Sequence, residues 1–410
     1  MLIERLVAAH IDGDVCALEL AQGRVTRVAR ESVVHAGGAT TFSAGGRVVT
    51  PAFVDAHVHL DKAFLAAEAG PTEARLGAAI ASVGALRGKL TAEKTRTHAE
   101  RAVALLVKNG VTAARVHAEI DEDVGLDLVH LQQAMAEEVA SRIELQLVAF
   151  PQRGLERSGM TELMAAAMSE GVPVVGGCPY VDADPANHLD FVFGLAERHG
   201  APVDLHLDFS DDPGASLLGL VAERTRAHGM QGRVTIGHVT TLAAMNADAQ
   251  SAALDVLAAC DIAIVVLPAT DLYLAGHGEP GTRSLAPLER ARRAGVRVAI
   301  ANNNIQNPFA RFGNGNLVQA AWLAGITRRA ADAVAQRYLY EAITSEPSRI
   351  LGLAPHGPTA GALAHLAILD AEREDDIVVL SPPVLATIRA GNLVHALGDG
   401  VAVGPLNKCQ

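Results

Sequence analysis

Ala52-Phe-Val-Asp-Ala-His57-Val-His59-Leu-Asp61-Lys62 is a short apolar run that ends in two histidines one residue apart. Nearly continuous apolar character over so few residues is the pattern of a strand buried on both faces. On a strand, side chains i and i+2 share a face, so His57 and His59 project together from its C-terminal end. Seven more runs of this kind follow, at residues 112–117, 144–149, 172–176, 203–206, 234–238, 262–266 and 297–301. Amphipathic segments separate them, at residues 90–108, 160–169, 189–199, 215–228, 249–260 and 285–294. The first of these has Thr91 as a helix N-cap and Asn109-Gly110 as its stop signal. Eight strands alternating with helices over roughly three hundred residues predict an α/β fold of the (β/α)8 barrel type. An open nucleotide-binding sheet is disfavoured, because no GxGxxG or P-loop pattern follows the first strand.

The two ends of the chain lack helical period. Residues 1–50 alternate as short strands around Asp12-Gly13, Gly37-Gly38 and Gly45-Gly46, and strands are expected again at 364–369, 377–380 and 385–388. The expected organisation is a barrel over residues 51–355, inserted between the halves of a small β-sandwich built from residues 1–50 and 356–410.

Composition narrows the function class. The 410 residues are half hydrophobic, enough for a large buried core and unlike a disordered or collagenous chain. A net charge of −12 argues against a nucleic-acid or anionic-membrane partner, either of which needs a basic footprint. Four scattered cysteines (Cys16, Cys178, Cys260, Cys409) without a CxxC pair point to a reducing cytoplasm. No apolar stretch approaches the roughly 18 residues of a membrane span, and the N-terminal run is too short and too acidic for a signal peptide. The expected partner is a small molecule, with a homo-oligomer as the assembly.

Any single one of sixteen histidines means little. Four share a position, however: His57 and His59 close the first strand, His206 the fifth and His238 the sixth. Active sites of barrels lie at the C-terminal face, and imidazoles converging there are the ligands that zinc or iron prefers. One divalent metal ion, Zn or Fe, is therefore expected where these imidazoles converge, with a position left for water.

The stretch Gly45-Gly-Arg-Val-Val-Thr-Pro51 together with His57-Val-His59-Leu-Asp61-Lys62 resembles the entry motif of the amidohydrolase superfamily, in its cytosine deaminase and N-isopropylammelide isopropylaminohydrolase branch. Further stretches resembling that branch follow in order: Gly110-Val-Thr-Ala-Ala-Arg115-Val-His117, Ala149-Phe-Pro151-Gln152-Arg-Gly154, Asp204-Leu-His206-Leu-Asp208, Gly237-His238-Val-Thr-Thr241 and Asn307-Pro308-Phe309. The resemblance covers essentially the whole chain. It implies a barrel-plus-sandwich hydrolase in which a metal-held hydroxide attacks a carbon of an N-heterocycle and expels ammonia or an amine. By position, His57, His59 and His206 would hold the metal and His238 the attacking water. Gln152 would bind the heterocycle, and Asp61 and Lys62 would orient the histidines.

Two positions depart from that pattern. The relatives' eighth strand ends in an Asp that takes the water's proton, and this chain has Asn303 there. Three residues after the fifth-strand histidine the relatives carry a proton-shuttling Glu, and this chain has Phe209. Gln306 and Asn307 also stand where charged residues are common in the relatives. An amide cannot act as a general base near neutral pH. Asp208, Asp211 and Asp271 are the candidate replacements. Three readings follow: an active C–N hydrolase with a reassigned base, a catalytically impaired protein that binds a heterocycle, or a lyase or isomerase working through Lys62 or His238.

Overall fold

The computed structural model describes residues 1–30, 40–86, 89–277 and 284–397. Four strands open the chain: β1 (Arg5–Ile11), β2 (Asp14–Ala21), β3 (Arg24–Arg30) and β4 (Thr41–Pro51). Eight follow, each with its predicted run: β5 (Phe53–Val58), β6 (Val111–Glu119), β7 (Glu144–Phe150), β8 (Val174–Gly177), β9 (Val203–Leu207), β10 (Val234–His238), β11 (Ala263–Val266) and β12 (Val298–Ile300). β13 (Leu366–Leu369), β14 (Val384–Arg389) and β15 (Asn392–Ala396) close the chain.

The middle eight lie side by side in chain order, each parallel to the next. Every residue of β5, β6 and β8 to β12 is buried, the polar ones included, as in strands covered on both faces. The sheet closes where the residues after β12 return to the first strand. Asn303 N donates to His57 O (2.8 Å) and His59 N donates to Asn303 O (2.8 Å). Asn303 thus stitches the barrel seam beside both histidines.

Local signals place the crossovers. Helix Ala92–Lys108 starts where Thr91 accepts a hydrogen bond from Lys94 N, and it stops at Asn109. Gly110 follows at φ +85°, pressed against Phe53 so closely that an added Cβ would lie 2.9 Å from the ring. Helix Asp127–Val139 was not legible in the sequence, because its N-cap is Leu126, which offers no capping side chain.

Both chain ends meet in one seven-stranded sheet, ordered β15-β14-β13-β4-β1-β2-β3. Its strands share a core of Leu6, Leu18, Val25, Phe42, Leu366 and Ile388. Asp12-Gly13 forms the expected β1–β2 turn, while Gly37-Gly38 lies outside the described residues. Gly45-Gly46, expected as a turn, instead lies inside β4. There the β1 register advances two residues, Val7 to Ala9, against four on β4, Ser43 to Arg47. The surplus is a bulge that glycines at φ +62° and +75° accommodate. Residues 377–380, expected as a strand, belong to the short helix Asp376–Leu380, whose buried residues are Ile377 and Val378. A run of four apolar residues does not by itself distinguish a strand from a helix turn.

Candidate active site

At the C-terminal mouth of the barrel the imidazoles converge. His57 Nε2 and His59 Nε2 each lie 3.1 Å from His206 Nε2. All three rings are buried, and burial, ahead of neighbouring histidines and, at His59, the Lys62 charge, pushes each well below the ordinary imidazole range, so they are neutral at pH 7. Neutral imidazoles with ring nitrogens turned on one another are what a divalent metal requires. Two nitrogens each about 2.0–2.1 Å from one ion would be roughly 2.9 to 3.4 Å apart, depending on coordination angle, and 3.1 Å falls in that span. Asn303 Oδ1 is buried at the same pocket without a hydrogen-bond partner, an acceptor left for a cation or a water. Both separations, each involving His206, suit a zinc or iron ion.

A fourth histidine, which the sequence reading overlooked, lies directly beneath. His117 of β6 stacks on His57 at 3.8 Å between ring centroids, and His57, His117 and His206 have ligand nitrogens within 4.8 Å of one another. His117 Nε2 is engaged with Asp204 Oδ1 (3.2 Å), whose other oxygen takes Arg115 Nη1 at 2.7 Å. Arg115, wholly buried, also donates to Gln146 Oε1 (2.8 Å). Arg115, Asp204 and His117 therefore form a polar pillar under the site. An arginine inside an otherwise apolar predicted strand was the available signal.

Above the histidines sits a small pocket. Of the residues singled out from sequence, His59, Gln152, His206, Phe209, His238 and Asn303 line it, joined by Tyr180, Thr270 and Phe309. Among the described residues, no Asp or Glu lines it. Its free volume is about 10 Å³. Phe209 meets the His238 ring edge-on at 4.8 Å and packs with Phe309, Leu274 and Tyr273 in an apolar cluster.

Lys62 does not reach the histidines it was expected to orient. Its ammonium donates to Glu119 Oε2 and to Gln152 Oε1, both at 3.1 Å. Because a lysine only donates, Gln152 accepts through Oε1, and its NH2 group is left for the pocket. Asp61 Oδ2 accepts Glu119 N–H (3.0 Å), so Asp61, Lys62 and Glu119 brace the wall beside the site.

The glycine of the Gln152-Arg-Gly154 motif now has a reason. A Cβ there would lie 1.7 Å from Asp182 Oδ1. Asp182 Oδ2 accepts Leu155 N–H at 2.8 Å and pairs with His188 Nδ1 at 2.7 Å, while His188 Nε2 accepts Cys178 N–H at 3.0 Å. The loops after β7 and β8, which carry Gln152 and Tyr180, are locked together through this contact.

Known proteins agree with this architecture. A profile of the amidohydrolase family matches residues 68–395. N-isopropylammelide isopropyl amidohydrolase of Pseudomonas sp. (strain ADP) is 27% identical over 375 residues, covering 86% of this chain and 87% of that protein. Pterin deaminase of Rhizobium rhizogenes is 26% identical over 365 residues, covering 85% and 80%. The crystal structure of 5-methylcytosine deaminase from Klebsiella pneumoniae with 5-fluorocytosine superposes with a TM-score of 0.90 at 29% identity, covering 96% of this chain and 97% of that one. With the profile spanning most of its length, the chain belongs to the amidohydrolase family.

Proposed function

We propose that this protein is a metal-dependent hydrolase of C–N bonds on N-heterocycles, releasing ammonia or an amine, in the manner the names of its relatives describe. The convergence of His57, His59 and His206 at the barrel mouth, beneath a pocket that also holds Gln152 and His238, carries this reading. His57, His59 and His206 would hold one zinc or iron ion. His117 is the lesser candidate, because its Nε2 is already bonded to Asp204. Such an ion, when bound, lowers the pKa of water towards about 7.

The chain's own residues do the rest. The NH2 group of Gln152, turned outwards by Lys62, donates to a carbonyl oxygen or ring nitrogen of the heterocycle. Phe209 and Phe309 supply apolar faces for a planar ring and keep bulk water out. His238 holds the reacting water and takes up its proton. Residues 51–355 form the catalytic unit, with residues 1–50 and 356–410 as the smaller domain, and Cys178 and Cys260, buried and not joined in a disulfide, support a cytoplasmic setting. A second reading, a heterocycle-binding protein with diminished turnover, is favoured by one observation, that no carboxylate among the described residues lines the pocket.

Metal analysis of the purified protein, followed by ammonia or amine release from cytosine, 5-methylcytosine, pterin and N-alkylaminotriazines, tests the proposal. The expected result is about one metal per chain and turnover on at least one of these, abolished by a chelator. A fully metallated protein that releases nothing from the panel would leave only the second reading.

A further inference from the structure

Among the described residues no carboxylate lines the pocket, yet hydrolysis of a C–N bond needs a group to take a proton from water and return it to the leaving nitrogen. Three aspartates were open as replacements, and two are otherwise committed. Asp208 accepts from Leu217 N (2.8 Å), Ser216 Oγ (2.7 Å) and Thr241 Oγ1 (2.9 Å), fastening the loop after β9. Asp211 accepts from Gly276 N (2.8 Å) and His277 N (2.9 Å), tying that loop to another. Asp271 alone of the three reaches the site, and it does so through His238. Its Oδ1 lies 2.6 Å from His238 Nδ1, and its Oδ2 accepts Leu267 N–H at 3.1 Å.

A carboxylate that already accepts one backbone N–H accepts a second hydrogen bond from His238 Nδ1–H, so the ring carries its hydrogen on Nδ1. Nε2 is then a bare acceptor on a ring that lines the pocket. The placement is held at a cost: His238 and Val239 both have positive φ, +71° and +46°, and both are buried. Phe209 packs against the ring where the relatives' pattern has an acid.

We propose that Asp271 and His238 together form the proton-transfer pair of this enzyme, replacing the carboxylates missing at Asn303 and Phe209. This rests on the hydrolase reading above. Water gives one proton to His238 Nε2 as its oxygen bonds to the ring carbon bearing the amino group. The carbon–nitrogen bond then breaks, its electron pair stays on the departing nitrogen, and that nitrogen takes the proton from His238 Nε2. The second water proton passes to a ring nitrogen, giving an oxo-heterocycle and ammonia or an amine. Asp271 stays ionised throughout and acts as the positioning residue that fixes the tautomer.

Two measurements on the full-length, metal-loaded enzyme test the pair. Long-range proton–nitrogen NMR on ¹⁵N-histidine protein should show His238 as the Nδ1–H tautomer, its signal lost in Asp271→Asn. This arm needs no substrate, so an Nε2–H tautomer overturns the pair whatever the activity, while absent turnover on aminoheterocycles counts against the hydrolase reading alone. In kinetics, Asp271→Asn should lower kcat about 10²- to 10⁴-fold, with KM changed less than about threefold. His238→Gln should do the same, and the double variant should lose little more. In an Asn303→Asp background, which restores a carboxylate at the pocket, the Asp271→Asn loss should shrink below about tenfold. An equal loss in both backgrounds, or a loss appearing in KM alone, would show that Asp271 only supports the fold.

Discussion

Gly154→Ala converts the lock between the β7 and β8 loops into a measurable energy. The new methyl carbon would sit 1.7 Å from Asp182 Oδ1, about half a normal contact distance, so the carboxylate must swing away. Alanine at φ +83° costs about 1 kcal/mol through its Cβ. Displacing Asp182 weakens its bonds to Leu155 N and His188 Nδ1, and a hydrogen bond to a charged group contributes about 1.5–3 kcal/mol. With the equivalent of one such bond lost, the sum is about 2.5–4 kcal/mol in denaturant unfolding, with a raised KM because Gln152 and Tyr180 lose their shared anchor. Repeating the change in an Asp182→Ala background separates the causes, since only the backbone cost of about 1 kcal/mol should remain. A cost below about 1 kcal/mol in the wild type, or one undiminished without Asp182, would refute the close-contact account.

Asn303→Asp places an anion at a pocket whose other candidate donors are neutral. Metal affinity should rise at least about tenfold by chelator competition, or about 1.4 kcal/mol, while calorimetry finds the metal-free variant less stable because the carboxylate is buried. Unchanged affinity and unchanged melting would mean that Asn303 does not face the ion. A third expectation concerns acid stability. Burial, with Arg389 nearby, pushes His365 down to about 3. The unfolded chain therefore takes up a proton near the ordinary 6.5 while the native protein refuses it. That contribution is whole above pH 6.5 and is lost as pH falls from there towards 3. His365→Gln should flatten the fall in Tm between pH 6.5 and 4; an identical slope would assign the acid sensitivity elsewhere.

How much of this could be read from the chain follows from where the signals lie. The eight barrel strands announce themselves because burial on both faces forces continuous apolar runs, and Thr91 marks a helix start because a hydroxyl there satisfies a free backbone N–H. Strand-end histidines were legible by the same reasoning, since period two and the barrel's polarity fix where His57, His59, His206 and His238 point. His117 obeys that rule too and was overlooked. The directions of Lys62, Asp208 and Asp271 were not legible. Each lies beyond a strand end or in a crossover, where no periodicity dictates orientation and the outcome depends on partners far away in sequence. Gly45-Gly46 misled because a bulge and a turn draw on the same backbone freedom.

The free volume of about 10 Å³ above the histidines has room for roughly one water molecule, far short of the several hundred cubic ångströms of a ligand pocket. A ring enters this conformation only after Leu76, Phe209 or Phe309, which line the cavity, give way. Recognition is therefore a gated event: the apparent Kd contains the free energy of opening, and substitutions that loosen the aromatic wall tighten binding without adding a contact. The same closure meters the solvent. In the proposed reaction the nucleophile would then arrive as a counted molecule and not as bulk liquid, with His238 and Asp271 enclosed beside it.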